Sequence, residues 1–226
     1  MRDGNDSAEP LIEGAPPASA GGAEPVIDNR LFVLVLQHPQ ERSEPLATAP
    51  ATVAALRRAR LAVGLSWPNL TRALDRPADP RVWGVLYLGS ARPAPPHEPE
   101  RKPGSRSARR DAGEIIALNR DGDPLPATDR VLRALEGIVL LDGTWSQAKT
   151  LWWRNPWLLK LQRIVLNPPS PARLGRLRRE PRREALSTLE AVSLVLRHTE
   201  TGPQASDALS AVLDRLLAAS GGRFAS

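Results

Sequence analysis

The sequence contains no cysteine, and this absence excludes several kinds of site. In a chain of 226 residues without one thiol, disulfides, thiol catalysis and cysteine-ligated zinc are impossible. Histidine is scarce as well, because His38, His97 and His198 stand far apart in different sequence contexts, and such spacing does not indicate a metal site. We therefore expect no metal centre.

Long hydrophobic runs are also missing. The longest one, residues 31–36, is far too short to span a bilayer, and no basic segment followed by an apolar one precedes it. These features predict a protein without a membrane anchor, and we expect it in the cytoplasm.

Positive charge exceeds negative charge in the chain as a whole. The formal net charge is +6 and the isoelectric point is about 10.8. Such a balance bears on association rather than on fold, and it favours a polyanionic partner. The length suffices for one α/β domain with a substantial core and some terminal extension.

Two segments have compositions that cannot form a core. Residues 1–29 are rich in Ala, Gly, Pro and Glu, and we predict a disordered tail there. Residues 91–113 combine prolines and glycines with basic side chains, which predicts a mobile basic insertion within a single domain of residues 30–219. We expect residues 220–226 to fray. The basic side chains of the insertion are Arg101, Lys102, Arg106, Arg109 and Arg110.

Hydrophobic patterning predicts an α/β fold. Short continuous runs such as residues 137–141 and 162–166 are typical of buried strands in a parallel sheet. Amphipathic patterns between such runs predict helices, so the whole alternation indicates a mostly parallel sheet flanked by helices. Further strands are predicted at residues 30–37, 81–89 and 114–118, and helices at residues 46–60, 128–136 and 207–217.

Residues 140–153 place polar side chains between a buried strand and a helix. Asp142 and Gly143 occupy the turn, Thr144 can cap the helix, and Trp145 begins an apolar face. Open α/β sheets bind ligands at the carboxyl ends of their strands, which makes an acidic residue here a candidate for chemistry. The alternative is structural, with Asp142 as the helix N-cap and Gly143 as a turn residue.

Arginine is concentrated in residues 173–183, which hold six arginines. A solvated surface is the simpler interpretation of such a run. However, forked guanidinium groups suit phosphate recognition, and Lys149 and Arg154 on the neighbouring predicted helix would extend the same basic surface.

Three motifs occur in the order found in a known family. They are Asp-Gly-Thr-Trp at residues 142–145, His-Pro-Gln-Glu at residues 38–41, and a Leu-Arg element followed by Ser-Thr-Leu-Glu-Ala within residues 177–191. Together they resemble the DTW-domain family of tRNA-uridine aminocarboxypropyltransferases, which is related to the knotted SPOUT-type RNA-modifying enzymes. The resemblance covers about residues 31–200. The chain lacks the cysteine cluster of many relatives, and its residues 173–175 stand where those relatives have a Ser-x-Tyr element.

The resemblance implies an activity and a SPOUT-like fold with a probable C-terminal trefoil knot, which no sequence pattern reveals. The 3-amino-3-carboxypropyl group of S-adenosylmethionine would move to N3 of a uridine in RNA, with tRNA as the expected substrate and methylthioadenosine as the product. On this reading Asp142 is the base or the group that orients N3–H, Thr144 supports it, and Trp145 forms a packing wall for cofactor or base. Trp145 could equally be part of the core.

The resemblance also implies binding residues, with the cofactor among the loops that follow three of the strands. Helix capping alone would explain Ser187 without any function. The cofactor-binding candidates are Thr48, Leu88, Gly89, Leu141, Gly143, Ser187 and Thr188. The RNA-binding candidates are His38, Glu41, Lys149, Arg154, Arg176, Arg178 and Arg179.

Two functions from other classes stay open. An RNA methyltransferase of the same knotted superfamily would use the same cofactor and move its methyl group. A non-catalytic RNA-binding module would use the arginines alone and would not bind the cofactor tightly. Product identity separates the first of these from the expected activity, and cofactor binding separates the second.

We predict that Arg176, Arg178 and Arg179 bind RNA phosphates. Replacing all three by alanine should flatten the dependence of RNA affinity on salt, because each lost phosphate contact lowers the logarithmic slope by about 0.7 on a single strand and about 0.9 on a duplex. Filter binding across a salt series measures this slope. An unchanged slope with intact affinity would place the RNA elsewhere.

Overall fold

The structure, a computed structural model, describes four ranges of the chain: residues 26–44, 47–86, 113–168 and 186–221. The first 25 residues, nearly all of the basic insertion and the arginine-rich segment lie outside the described residues. Five of the candidate site residues also lie there, so that their roles stay predictions. These residues are Leu88, Gly89, Arg176, Arg178 and Arg179.

Within the described ranges, six strands form one sheet: β1 (Phe32–Gln37), β2 (Ala59–Val63), β3 (Trp83–Leu86), β4 (Ile115–Leu118), β5 (Gly137–Asp142) and β6 (Gln162–Leu166). Their spatial order is β2-β1-β5-β3-β6-β4. All neighbouring strands run parallel except β4, which is antiparallel to β6 at one edge. The predicted α/β class with a mostly parallel sheet is therefore confirmed.

Helices follow or precede the strands along the described chain: α1 (Ala49–Ala55), α2 (Leu70–Leu74), α3 (Thr128–Ala134), α4 (Trp145–Arg154), α5 (Thr188–Thr199) and α6 (Gln204–Gly221). Three short 3-10 helices supplement them: Pro39–Ser43, Pro80–Val82 and Pro156–Lys160. No described helix has the length and apolar character needed to cross a bilayer.

Two hydrophobic cores lie on the two faces of the sheet, because successive side chains of a strand point to opposite faces. Val33 and Val35 of β1 belong to one core, which also contains buried residues of α5 and α6. Leu34 and Leu36 belong to the other core, which contains α2 and the Pro156–Lys160 segment. β1 is thus buried on both sides, as a continuous apolar run predicts.

The predicted helix of residues 46–60 is wrong over its last five residues. α1 ends at Ala55, and β2 begins only four residues later. β2 pairs in parallel with β1, with Val33 opposite Ala59 in the register. Ala, Leu and Arg favour helices locally, but this tertiary pairing at the sheet edge overrides a difference of a few tenths of a kcal/mol per residue.

The domain also begins earlier than Arg30, the predicted start. Ile27 forms a parallel bridge with Leu56. The buried Asn29 donates from its amide to the carbonyl oxygens of Leu31 and Arg58, at 2.7 and 3.0 Å, and accepts from the Arg58 amide at 3.0 Å. Residues 26–29 therefore belong to the fold. The knot stays a prediction, because the route of the chain through residues 87–112 and 169–185 is outside the described ranges.

Glu114 ties the start of β4 to the end of α5. Its carboxylate lies 2.8 Å from Nε2 of His198 and also accepts from Arg197. The His198 hydrogen bond is the main cause that holds the pKa of Glu114 below its usual value, Arg197 adds to the effect, and partial burial opposes it. His198 is therefore occupied by a structural contact.

Gly137 faces the fully buried indole of Trp83, and a side chain there should be costly. A Cβ on Gly137 would lie 2.5 to 2.6 Å from three atoms of that ring. We expect Gly137→Ala to lower the free energy of unfolding by about 1 to 3 kcal/mol, the usual penalty for overpacking a core. Urea unfolding measures it.

Gly113→Ala is the matched control, because the nearest atom to its new Cβ would be the Ile115 carbonyl oxygen at 3.6 Å. Both variants are Gly→Ala and affect the unfolded chain alike, so they differ only in the contact with Trp83. The free energy of unfolding of Gly113→Ala should stay within about 0.5 kcal/mol of the wild type. Equal stability of the two variants would mean that Trp83 can move away at no cost.

Candidate active site

Asp142 is the last residue of β5 and lies at the carboxyl edge of the sheet, as predicted. Its neighbour across the ladder is Gln37, the last residue of β1. Both side chains are buried, with 7% of Asp142 and 1% of Gln37 exposed. Two polar side chains therefore end adjacent central strands at the edge where open α/β sheets bind ligands.

Three elements meet at the Asp142 carboxylate. Gln37 Nε2 donates to Oδ2 at 2.9 Å, and the Thr188 hydroxyl of α5 donates to Oδ1. The amide of His38 donates to the backbone oxygen of Asp142 at 3.0 Å. The carboxylate is thereby held in one orientation by two donors from different parts of the chain.

The structural alternative for Asp142, the N-cap of the following helix, is wrong. Thr144 caps α4, since its Oγ1 accepts from the Gln147 amide at 3.4 Å while Gln147 Oε1 accepts from the Thr144 amide at 2.6 Å. This capping box satisfies the helix start without the carboxylate. Asp142 is left to interact with Gln37, with Thr188 and with whatever enters the site.

The immediate surroundings of Asp142 are rich in hydrogen-bond acceptors. Among the described residues, no lysine or arginine forms an ion pair with it. Its two hydrogen bonds use two of about four acceptor positions on a carboxylate, so about two remain. The buried Oε1 of Gln37 has no hydrogen-bond partner in the described part of the chain. Such a set of acceptors is suited to a ligand that is cationic or carries N–H donors.

Gly143 makes the turn after Asp142 in a conformation that other residues rarely adopt. Its φ is +152°, and a Cβ there would lie 2.9 Å from Cβ and Oε1 of Gln147 and 3.4 Å from Cβ of His38. The turn is also tied to the Pro39–Ser43 segment, because Gln147 Nε2 donates to Gln40 Oε1 at 3.3 Å. The loops that follow β1 and β5 therefore pack together.

His38 and Glu41 lie in the loop after β1. His38 caps the Pro39–Ser43 segment, where its Nδ1 accepts from the Gln40 amide at 3.3 Å. Glu41 is buried, with 2% of its surface exposed. His38 therefore has a structural role as a cap, and contacts of these two residues with RNA stay predictions.

The start of α5 brings three of the cofactor-binding candidates to Asp142. Thr188 contacts the carboxylate directly, and Ser187 caps the helix in the predicted capping box. Thr48 Oγ1, from the segment before α1, accepts from the Leu189 amide at 3.4 Å. Three separate segments of the chain, those of Thr48, Asp142 and Ser187–Thr188, therefore meet at the start of α5. Leu141 instead packs against the second core.

The apolar face of α4 differs from the predicted one. Its buried residues are Ala148 and Leu151, whereas 36% of Trp145 is exposed. Trp145 is therefore not part of the core, and it lies next to the turn that follows Asp142. Lys149 and Arg154 are exposed further along the same helix.

Gln37 is the site residue that the sequence did not reveal. The only signal was a polar residue that closes a buried strand directly before His38. Its importance comes from the register that sets it opposite Asp142, and a register between strands about one hundred residues apart cannot be read from local patterns. Among the described residues, no group of three or more His, Asp or Glu side chains could hold a metal ion.

Comparison with known proteins gives two matches. Residues 21–220 match the family model described as DTW domain. The chain is 28% identical over 164 residues to tRNA-uridine aminocarboxypropyltransferase 2 of Mus musculus, which covers 72% of this chain and 45% of the mouse protein. The chain thus spans less than half the length of that relative. No solved structure matches the chain.

We predict that Gln37→Glu makes stability depend on pH. The new carboxyl group would stand at hydrogen-bond distance from Asp142, and two carboxylates that share a site raise the pKa of one of them. The folded state then keeps a proton that the unfolded chain releases above about pH 4.3. Relative to wild type, the free energy of unfolding should fall by about 1.4 kcal/mol per pH unit above that value, until the raised pKa is reached.

Gln37→Leu is the control, because it removes the same donor and adds no titrating group. It should be destabilised by about 1 to 3 kcal/mol at every pH, since Oδ2 of Asp142 loses its hydrogen bond. Urea midpoints between pH 4 and pH 8 compare the two variants. Parallel pH profiles for both would show that Gln37 and Asp142 are not in contact.

Proposed function

Because the chain belongs to the DTW-domain family, we propose that it transfers the 3-amino-3-carboxypropyl group of S-adenosylmethionine to N3 of a uridine in tRNA. The activity after which the mouse relative is named supports this assignment. In the structure, the observation that carries it is the buried carboxylate of Asp142, held by Gln37 and Thr188 at the carboxyl edge of the sheet.

The reaction sets clear requirements for the protein. A bond forms between N3 of uracil and the γ-carbon of the donor, the bond from that carbon to sulfur breaks, and methylthioadenosine and the N3 proton are released. The sulfonium sulfur is already a good leaving group. The protein must therefore align the two reactants and accept the proton of the weakly acidic imide.

The residues at the site fit a cationic donor. S-Adenosylmethionine carries positive charge on its sulfonium and on its amino group. Asp142 has no cationic partner among the described residues, and Gln37 Oε1 is a buried acceptor without a partner there. Thr48, Ser187 and Thr188 lie beside them, and we assign the donor to this cluster. Leu88 and Gly89 complete the proposed binding set.

Asp142 is the proposed base, or the group that orients N3–H. Its two hydrogen bonds fix the carboxylate, and about two acceptor positions remain for a proton donor. A base must come within about 2.6 to 3.2 Å of the atom that gives up the proton. The exposed Trp145 lies three residues further along the chain and offers an aromatic face on which a uracil ring can pack.

Exposed basic residues supply the proposed contacts with the rest of the RNA. Lys149 and Arg154 are exposed on α4, which begins at the site. Arg176, Arg178 and Arg179 are proposed to join them through their forked guanidinium groups. A cytoplasmic location, where tRNA would be accessible, is part of the same proposal.

Asp142→Asn should abolish most of the turnover and leave the fold intact. The amide keeps an oxygen for the Thr188 hydroxyl, and its NH₂ group can donate to Gln37 if the Gln37 amide rotates and presents its unpartnered Oε1. The free energy of unfolding should therefore change by less than about 1 kcal/mol. Loss of the general base should lower kcat on the order of 10²-fold or more.

Assays with tRNA and S-adenosylmethionine labelled in its carboxyl-containing chain measure this effect at saturating donor, and calorimetry measures separately how far the variant's donor affinity changes. The wild type should transfer the label and release methylthioadenosine. Release of S-adenosylhomocysteine would instead identify a methyltransferase. Near-normal turnover of Asp142→Asn would remove Asp142 from the chemistry.

A further inference from the structure

We propose that the protein holds its RNA at a second surface, a basic groove where the parallel strands begin. Asp142 lies at the opposite edge of the sheet, where these strands end. The inference rests on the proposed function, since it assumes that a uridine of the same RNA reaches Asp142. The groove is open and has a volume of about 670 Å³. Its basic side chains are Arg81, Arg120, Lys160 and Arg163, and Pro156 and Leu159 contribute apolar surface between them.

The sheet topology collects these four basic residues from distant parts of the chain. Arg81 lies two residues before the start of β3, Lys160 lies two residues before the start of β6, and Arg163 is the second residue of β6. Arg120 follows β4, whose antiparallel direction returns the chain to the edge where its parallel neighbours begin. Asp142 ends β5 at the other edge, and the length of that strand separates the two places by roughly 17 Å.

The groove carries an excess of positive charge. Arg81 is paired with Asp79, whose Oδ2 lies 2.8 Å from Arg81 Nη2. Among the described residues, Arg120 and Lys160 form no ion pair. Arg120 and Lys160 therefore add positive charge to a described lining that contains no Asp or Glu. The Arg163 guanidinium donates to the backbone oxygen of Arg120 at 3.1 Å, which ties the Arg163 side chain to the loop that carries Arg120.

RNA phosphates fit this groove better than an acidic protein segment does. The proposed substrate is a polyanion that is much longer than 17 Å, so a tRNA with one uridine at Asp142 must pass over a large part of the surface. α4 connects the two edges, because it begins beside Asp142 and leads through the Pro156–Lys160 segment to the groove. Its exposed Lys149 and Arg154 place further positive charge on that route.

The test compares two double variants that each remove two positive charges. Arg120→Gln with Lys160→Gln changes the groove, and it keeps the backbone oxygen of Arg120 that binds Arg163. Arg58→Gln with Arg72→Gln is the matched control. Arg58 precedes β2, and Arg72 lies on α2 beside β2. β2 is one edge strand of the sheet and β4, next to the groove, is the other.

Equilibrium binding of unmodified tRNA across a salt series, without donor, is the first measurement. The groove variant should lose affinity, and its slope of log affinity against log salt should become shallower by about 1.4 to 1.8, which corresponds to two lost phosphate contacts. The control variant should keep the wild-type slope. Urea unfolding of both variants verifies that they are folded.

Turnover is the second measurement. Since the groove is far from Asp142, the groove variant should show a raised KM for tRNA and a kcat within about twofold of wild type. If the wild type shows no transferase activity but the groove variant still loses tRNA affinity, the groove is supported and only the proposed function is refuted. Wild-type binding by the groove variant, or an equal loss in the control, would overturn the proposal. The first of these outcomes would point to an acidic protein partner instead.

Discussion

The hydrogen bonds to the Asp142 carboxylate link the fold to the site, because residues from distant parts of the chain must come together to form them. Its two hydrogen-bond partners, Gln37 and Thr188, are 105 and 46 residues away in the sequence. A buried carboxylate is costly unless it is paired or hydrogen-bonded, and here the observed donors are neutral groups. The acceptor site at the sheet edge therefore exists only when the register of β1 with β5 and the position of α5 are both correct.

The sequence predicts what is local in this arrangement. Thr144 and Ser187 are both predicted as helix caps, and in the structure each forms a capping box with the residue three positions later, Gln147 or Glu190. The strand before Asp142 follows from a continuous apolar run. What it does not predict is non-local. The position of Gln37 opposite Asp142 depends on a pairing between distant strands, and the first two residues of the edge strand β2 lie within the predicted helix of residues 46–60.

Trp145 shows the limit of periodicity within a correctly predicted helix. An apolar repeat places the indole on the buried face, yet α4 buries Ala148 and Leu151 and leaves Trp145 partly exposed. An apolar repeat indicates that a side chain is shielded from water, but it does not show which group shields it. An aromatic ring that faces a ligand satisfies the same pattern as one that faces the core, so only the packed structure separates the two.

The two edges of the sheet separate the proposed base, Asp142, from the basic side chains proposed to bind phosphates. A basic side chain fixed beside a carboxylate would form an ion pair with it and occupy the acceptor positions that a cationic donor and the N3 proton need, whereas phosphates require basic side chains. Among the described residues Asp142 has no basic partner, and Arg81, Arg120, Lys160 and Arg163 lie at the opposite edge. A strand length of roughly 17 Å exceeds the screening length of about 8 Å at physiological salt. Cations in the groove can therefore hold an RNA without neutralising the proposed base.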